Sequence, residues 1–205
     1  SRSTMNADPT SAPASGYGRA VRRPTKQELA EAYGRTLPDL VGPGLRVLLV
    51  GINPSLWSGW SGHHFGRPSN RLWPTLHESG LTPRRLAPED TAELQAAGIG
   101  ITNLVARATA RADELSDDEI RAGVPRLREL VARWRPPAVA VLGVSAYRVA
   151  FARPKAVVGL QPEPFEGSAL WVLPNPSGLN AHYQQPALTA EYAALRQSLD
   201  DSRHM

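Results

Sequence analysis

Residues 45–55 read LRVLLVGINPS, an apolar run that ends in the turn-forming tripeptide Asn53-Pro54-Ser55. The tripeptide recurs as Asn175-Pro176-Ser177, again directly after an apolar run, ALWVLP at residues 169–174. Short apolar runs bounded by turn residues are typical of strands that are buried on both faces of a parallel sheet. Ligands in open α/β sheets bind beyond the carboxyl ends of the strands. The two turns are therefore expected to meet at one ligand-binding crevice.

The rest of the chain alternates short apolar runs with helix-like segments, which predicts a parallel sheet with helices on both faces. We therefore predict an α/β fold: a single three-layer domain with a mainly parallel central β-sheet flanked by helices. The predicted strands are residues 45–51, 99–104, 138–143, 155–160 and 169–173. The predicted helices are residues 25–33, 69–79, 88–97, 116–134, a segment ending near 152, and 186–199. The polar segment 55–67 is predicted to be a long loop, either functional or disordered.

Two local patterns mark the starts of predicted helices. Thr25-x-x-Glu28 has the form of a capping box, and Ser116-x-x-Glu119 repeats it. Pro125 lies inside the second of these helices and predicts a kink or a break. In domain terms, we expect a disordered N-terminal tail at 1–24, a folded domain at 25–199 and a C-terminal tail at 200–205.

The amino-acid composition limits the kinds of partner and reactive site that the protein can have. The net charge is +4, and 21 of the 23 basic residues are arginine, because Lys26 and Lys155 are the only lysines. Arginine forms paired hydrogen bonds with phosphates, which favours an anionic partner, although a codon bias towards arginine would give the same count. The absence of cysteine excludes disulfides, thiol nucleophiles and iron–sulfur clusters. It also fits the reducing cytoplasm, where we expect the protein, associated with the bacterial nucleoid.

Five short motifs occur in a defined order. They are GINPSL at 51–56, HHF at 63–65, NRLW at 70–73, GITNLV at 100–105 and NPSGL at 175–179. Together they resemble the mismatch-specific uracil-DNA glycosylase and thymine-DNA glycosylase family of the uracil-DNA glycosylase superfamily, over about residues 37–199. No phosphate-binding P-loop and no dinucleotide-binding fingerprint follows the first strand.

The resemblance implies a monofunctional enzyme that hydrolyses the N-glycosidic bond of uracil in DNA, especially opposite guanine, and so initiates base-excision repair. It implies a uracil-DNA glycosylase-like fold and extrusion of the base from the helix. The implied partner is double-stranded DNA with G:U mismatches, with G:T mismatches as a further candidate. No cofactor, metal ion or membrane is implied, and we expect a monomer.

The resemblance also assigns the catalytic and base-binding residues. Asn53 would position the attacking water, and Thr109 would help to hold that water. Asp113 would either assist the water or simply begin the next helix, where acidic residues favour the helix dipole. The implied base-binding residues are Ile52, Ser55, His64, Phe65 and Asn103. Among these, Phe65 would stack on the base, Asn103 would contact the pyrimidine edge, and His64 would donate to the base or leaving group.

Ser55 stands where close relatives have glycine, so we expect thymine and other 5-substituted bases to be poor substrates. The adjacent histidines His63 and His64 lack further metal-binding residues at ligand spacing, which disfavours a metal site.

The second Asn-Pro-Ser turn is expected to act on the DNA strand. Asn175 and Ser177 would contact the extruded nucleotide or its phosphate, and Gly178 would allow close backbone approach. Leu179 would fill the space that the base leaves. The implied DNA-binding set also includes Asn180, which lies where relatives read the unpaired guanine, and Ser145, either as a phosphate contact or as a plain helix cap.

Two other classes of function remain open from the sequence. An amide at position 53 cannot remove a proton from water at neutral pH, so the chain could be a non-catalytic DNA-mismatch binder. Alternatively, it could be an α/β hydrolase of free nucleosides or nucleotides, which would have no use for Leu179.

Overall fold

The computed structural model describes residues 22–205, so most of the predicted 1–24 tail lies outside the described residues. The helices are α1 (Lys26–Glu31), α2 (Leu56–Ser61), α3 (Leu72–Glu78), α4 (Thr91–Ala96), α5 (Asp117–Trp134), α6 (Val144–Ala150) and α7 (Gln185–Ser202), with a short 3₁₀ helix at Ala112–Glu114. The strands are β1 (Val47–Gly51), β2 (Ile99–Asn103), β3 (Ala138–Leu142), β4 (Gly159–Leu160) and β5 (Ala169–Leu173).

Across the described residues these strands form one sheet in the order β2-β1-β3-β5-β4. The first four strands in that order run parallel, and the short edge strand β4 is antiparallel to β5. Gly51 pairs with Asn103 at the carboxyl ends of β1 and β2. The sheet winds in opposite directions on the two sides of β1, which makes this edge the expected place for a ligand.

Two apolar layers sandwich the sheet and confirm the predicted three-layer architecture. One face packs against α3, α4 and α7, and the other packs against α5 and α6. Alternate residues of β1 supply the two layers: Val47 and Leu49 face the first, and Leu48 and Val50 face the second. Burial on both faces explains why these strands are continuous apolar runs. None of the helices formed by residues 22–205 is long and apolar enough to cross a membrane.

Several predicted boundaries differ from the structure. The segment 55–67 is not wholly a loop, because α2 occupies its first half; the Ser55 hydroxyl accepts the backbone N–H of Ser58 and caps this helix. The predicted strand 155–160 is reduced to β4, and α7 extends to Ser202. Pro125 does not end α5, which continues to Trp134.

A glycine in α5 fixes how closely this helix approaches β2. A Cβ at Gly123 would lie 2.1 Å from the carbonyl oxygen of Leu104, the residue that follows β2. The backbone of Leu104 cannot move without displacing the strand end beside it. The close contact therefore helps to set the position of the β2 terminus, where Asn103 lies.

We expect Gly123→Ala to destabilise the protein by about 2 kcal/mol, the usual range for overpacking a core. This reverses the gain of about 1 kcal/mol that alanine normally brings to a helix. The control is Ala122→Gly at the neighbouring exposed position, which should lose only about 1 kcal/mol. Urea unfolding of both variants measures the difference, and a stabilised Gly123→Ala would contradict the contact.

Candidate active site

A cavity of about 340 Å³ opens at the carboxyl edge of the sheet. The ends of β1, β2 and β3 and the loop after β5 contribute to its lining through Gly51, Asn103, Leu142 and Asn175. All predicted site residues line this cavity except Asn180 and Ser145. The two Asn-Pro-Ser turns thus meet at one crevice, as the sequence predicts.

Backbone hydrogen bonds bring the loops after β1 and β2 together. The N–H of Leu104 donates to the carbonyl of Gly51, and the N–H of Val105 donates to that of Ile52, both at 2.9 Å. Further along, the N–H of Thr109 reaches the carbonyl of Pro54 at 3.2 Å. This pairing places Thr109 beside Asn53, although 56 residues separate them in the chain.

The side-chain amide of Asn53 has a fixed orientation. Its Nδ2 donates to the carbonyl of Arg107 at 3.0 Å and to the hydroxyl of Thr109 at 2.8 Å. Both amide hydrogens are therefore used, and within residues 22–205 no protein group donates to Oδ1. The amide oxygen is left as a free acceptor on a residue that lines the cavity.

Thr109 acts on Asn53 rather than offering its hydrogen to a water molecule. Its side chain is only 1% exposed, and its hydroxyl donates to the carbonyl of Arg111 at 2.7 Å while it accepts from Asn53. A hydroxyl has one hydrogen, and here that hydrogen is used. The geometry differs from the predicted water-holding contact and makes Thr109 a positioning residue for Asn53.

Asp113 lies at the exposed rim of the cavity, within the 3₁₀ helix Ala112–Glu114. Its carboxylate accepts from Nε of Arg111 at 3.0 Å, and its side chain is 75% exposed. The cap of the following helix α5 is Ser116, whose hydroxyl accepts the N–H of Glu119 at 3.1 Å. Asp113 is therefore not the capping residue of α5, and its carboxylate shares the cavity with Asn53.

One wall of the cavity is the ring of Phe65. This residue has a positive φ of 48°, an uncommon conformation for a bulky side chain. The indole N–H of Trp73 donates to its carbonyl at 3.0 Å and supports that backbone. The ring is half-buried and also contacts the core. Phe65 thus joins the core packing while one part of its ring remains in the cavity.

The hydroxyl of Ser55 has a local partner. Besides accepting the N–H of Ser58, it donates to the Ser58 hydroxyl at 3.2 Å. That second hydroxyl accepts the N–H of Gly66 at 3.1 Å. Ser58 also lines the cavity, and its role was not predicted from the sequence. The two serines join the start of α2 to the segment that carries Phe65.

His64 is buried, and both of its ring nitrogens face protein groups. It is 5% exposed, and its Nε2 lies 2.7 Å from the carbonyl oxygen of Pro38, which can only accept. Burial lowers the pKa of His64, against the opposing effects of the Pro38 hydrogen bond and Asp39. Its Nδ1 lies 3.4 Å from Nδ2 of Asn103. This arrangement differs from the predicted role, in which His64 donates to the base or leaving group, because both ring nitrogens already face protein groups.

The second Asn-Pro-Ser turn is stabilised by its own side chains. Oδ1 of Asn175 accepts the N–H of Ser177 at 2.9 Å, and the Ser177 hydroxyl accepts the N–H of Leu179 at 3.2 Å. Asn180 donates through Nδ2 to the carbonyl of Asn175 at 3.0 Å. We name residues 175–180 the wedge loop. Its polar side chains shape the loop, while the Leu179 side chain is 81% exposed at the cavity mouth.

Arg71, in the NRLW motif at 70–73, contacts the wedge loop, a role that was not predicted from the sequence. Its guanidinium donates to the carbonyls of Tyr183 at 2.6 Å, Ser177 at 2.9 Å and Asn180 at 3.1 Å. Its own N–H donates to the carbonyl of Pro176 at 2.9 Å. Planar guanidinium groups suit several fixed acceptors at once. Arg71 therefore contacts the backbone of the wedge loop at Pro176, Ser177 and Asn180.

The remaining predicted contacts are less central. A Cβ at Gly178 would lie 2.8 Å from the carbonyl oxygen of Ser69, so this position needs glycine for close packing. Ser145 is an exposed residue inside α6 and not its cap, since Gly143 occupies that position. The described part of the chain contains no group of three or more His, Asp or Glu side chains that could hold a metal ion.

Comparisons with known proteins agree with this architecture. A family model described as "Uracil DNA glycosylase superfamily" matches residues 38–199. The chain is also similar to the solution NMR structure of a "putative Uracil DNA glycosylase" from Methanosarcina acetivorans, with a TM-score of 0.60 and 19% sequence identity. That similarity covers 82% of this chain and 98% of the other, and at this identity it concerns the fold.

Proposed function

Because the chain belongs to the uracil-DNA glycosylase superfamily, which supports DNA glycosylase activity in general, we propose that it removes uracil from DNA, especially opposite guanine. The proposal rests mainly on the orientation of Asn53. Its amide hydrogens are held by Arg107 and Thr109, so its oxygen is left to bind a water molecule in the cavity. The reaction is hydrolysis of the bond between C1′ and the base nitrogen.

Asn53 orients the nucleophile without activating it. The amide oxygen accepts a hydrogen bond from the water and directs the water's oxygen at C1′ of the extruded sugar. An amide takes no proton at neutral pH, so the water gives up its proton to solvent or to another side chain. Positioning alone lowers the barrier because it removes the entropy cost of bringing the reactants together.

The leaving group accounts for the other part of the chemistry. As the bond between C1′ and N1 breaks, its electron pair leaves with uracil and the sugar gains oxocarbenium character. Water then forms the new C1′–O bond. A weak nucleophile is sufficient where the leaving group accepts charge readily, but we expect slow turnover because a competent general base usually contributes 10²–10⁴-fold.

The base would lie between an aromatic surface and a polar edge. Phe65 offers its ring for stacking, and such stacking on bases contributes about 1–3 kcal/mol. Asn103, at the end of β2, offers an amide to the pyrimidine edge. Ile52 and Ser55 complete the base-binding set, and the extra carbon and hydroxyl of Ser55, compared with glycine, favour uracil over 5-substituted bases.

Extrusion of the nucleotide costs a few kcal/mol of pairing and stacking, and it costs less at a mismatch. We propose that the wedge loop offsets this cost by inserting Leu179 into the space the base leaves. The exposure of Leu179 and the clamping of its loop by Arg71 support this role. Easier extrusion at a mismatch favours G:U over A:U as substrate.

The carboxylate of Asp113, at the rim of the cavity, provides a test of where the water's proton goes. We expect Asp113→Ala to slow single-turnover cleavage about tenfold, because a nearby carboxylate can accept the proton that Asn53 cannot. DNA binding should change little. The control is Asp117→Ala, an exposed acid in the first turn of α5 that does not line the cavity. Equal rates for the two variants would remove Asp113 from the mechanism.

The experiment that tests the function is an excision panel under single-turnover conditions. Duplexes with U:G, U:A or T:G pairs, a single strand with uracil, and free deoxyuridine are each incubated with excess protein, and abasic sites are revealed by alkali. We expect the order U:G, then U:A, then T:G. Binding without abasic product would indicate a mismatch-binding protein. Cleavage of free deoxyuridine alone would indicate a nucleoside hydrolase.

A further inference from the structure

His64 and Asn103 form a buried pair whose hydrogen-bond directions can be worked out. The histidine approaches the carbonyl of Pro38 through Nε2 at 2.7 Å, and its Nδ1 faces Nδ2 of Asn103 at 3.4 Å. The two side chains are 5% and 7% exposed. Asn103 lines the cavity where the base would lie, so its orientation bears on which base fits.

The position of Pro38 fixes which ring nitrogen carries the hydrogen. The segment after Pro38 pairs with β2 through two backbone hydrogen bonds between Leu40 and Ile101, at 2.8 and 2.9 Å. A carbonyl oxygen can only accept, so Nε2 is the protonated nitrogen. In the neutral ring Nδ1 is then an acceptor, and it can only be paired with a donor.

Burial favours the neutral form of the His64 ring, because it lowers the pKa of His64 and outweighs the effects that oppose it. Asp39 is the nearest acid, and its carboxylate already accepts from Thr102 at 2.6 Å and from Arg126 at 3.0 Å. Burial is the largest effect on the pKa of His64, and it prevails over Asp39 and the Pro38 hydrogen bond, which both raise that pKa. The ring therefore presents a lone pair, not a hydrogen, to Asn103.

Asn103 can meet that lone pair in only one way. Its amide nitrogen must point to His64, because the reversed amide would set two acceptors against each other. Its Oδ1 lies on the side of Gly51, where an added Cβ would be 2.5 Å away. The backbone carbonyl of Asn103 also accepts from Arg126. The amide is thus confined, with Oδ1 and one N–H left for a ligand.

We infer that His64 is a positioning residue that locks the Asn103 amide in the orientation that accepts uracil and rejects cytosine. The inference rests on the proposed uracil-excision function. Uracil presents N3–H as a donor beside O4 as an acceptor, which matches the free Oδ1 and N–H of Asn103. Cytosine presents the reverse, an acceptor at N3 beside an N4 donor, and would require the amide to turn over.

The test compares two substitutions of His64. One can keep the hydrogen bonds to Pro38 and Asn103 in their native directions, and the other can make neither of them. His64→Gln can donate to Pro38 through its amide nitrogen and accept from Asn103 through its oxygen, so it preserves both directions. His64→Leu fills the site but provides neither. We expect the leucine variant to lose about tenfold in discrimination, the equivalent of about 1.4 kcal/mol for one misdirected hydrogen bond. The glutamine variant should stay within about twofold of the native protein.

Discrimination is measured by binding, which keeps it separate from catalysis. Duplexes that contain 2′-fluoro-deoxyuridine or 2′-fluoro-deoxycytidine opposite guanine resist cleavage, because fluorine disfavours positive charge on the sugar. The ratio of the two dissociation constants is the readout, and a purely structural role would weaken both equally. An unchanged ratio in His64→Leu would overturn the lock.

A second measurement covers the case in which His64→Leu does not fold. Nitrogen-15 spectra of the native imidazole rings at neutral pH should show His64 neutral with its hydrogen on Nε2, and a hydrogen on Nδ1 would overturn the inference. These results are separable from the function itself. Failure of native protein to excise uracil would refute the proposed activity, whereas the fluorinated duplexes and the imidazole spectra decide the lock.

Discussion

Replacing Asn53 with alanine is expected to reduce single-turnover excision of uracil from a G:U duplex by about 10²-fold or more. The variant has no amide oxygen at the place where the water would bind, and loss of a positioned reactant is costly because orientation itself lowers the barrier. Asn53 lines the cavity but takes no part in the wedge loop. Binding of the duplex should therefore remain within a few-fold of the native value.

Two companion variants separate positioning from charge. Thr109→Val removes the hydroxyl that accepts from Nδ2 of Asn53 and keeps a similar shape. It should slow cleavage about tenfold, because the amide is then held by Arg107 alone. Asn53→Asp supplies a carboxylate but sets an oxygen against the Arg107 carbonyl, where only a donor fits. Its rate should therefore fall between those of the native protein and the alanine variant.

These rates are measured by alkaline cleavage of a labelled strand at excess protein, with thermal unfolding as a check. Asn53→Ala leaves the Arg107 carbonyl and Thr109 hydroxyl without their donor, which costs about 1 kcal/mol of stability. This loss is small enough for the variant to stay folded. A native rate in Asn53→Ala would show that the water is held elsewhere and would remove the central residue of the mechanism.

Much of the fold could be predicted because its core strands are continuous apolar runs. The predicted strands 45–51, 138–143 and 169–173 contain β1, β3 and β5, since burial on both faces leaves little choice of residue. The segment 55–67 was harder, because Ser, Gly and His do not favour a helix. Its helical half depends on the Ser55 cap and on the buried Trp57, and only the first of these is a local signal.

The candidate site, like the fold, could be predicted from the sequence only in part. The loops that meet at the cavity could be predicted from strand ends, and Asn53, Phe65 and Asn103 do line it. The partners that orient these residues could not be predicted. The hydrogen bond from Asn53 to Thr109 joins residues 56 apart in the chain, and the contact of His64 with Pro38 joins residues 26 apart. Such contacts depend on tertiary packing and have no signature in spacing.

Tertiary contacts of this kind also explain why the structure gives Thr109 and His64 surroundings that differ from their predicted roles. The family resemblance assigns Thr109 to the attacking water and His64 to the base or leaving group. In the folded protein each has already used its hydrogen, on the carbonyls of Arg111 and Pro38. Both residues therefore act through a neighbouring amide. The cavity presents the oxygens of Asn53 and Asn103, and surrounding groups fix where those oxygens point.

Truncating the exposed leucine of the wedge loop should separate duplex from single-stranded substrates. We expect Leu179→Ala to slow excision from a G:U duplex at least tenfold, because it removes roughly 2 kcal/mol of apolar contact with the opened base step. Uracil in a single strand needs no wedge, and its excision should stay within about twofold. Because Arg71 clamps the loop backbone, the effect should come from the side chain alone.

The chain offers a matched control in Leu160, another exposed leucine, which lies on the edge strand β4 and does not line the cavity. Leu160→Ala removes the same atoms from the surface and should leave both substrates unaffected. An equal loss on duplex and single strand in Leu179→Ala would mean that the leucine contacts the extruded nucleotide itself. A loss confined to the duplex, larger at U:A than at U:G, is what the wedge requires, because the well-paired base is harder to extrude.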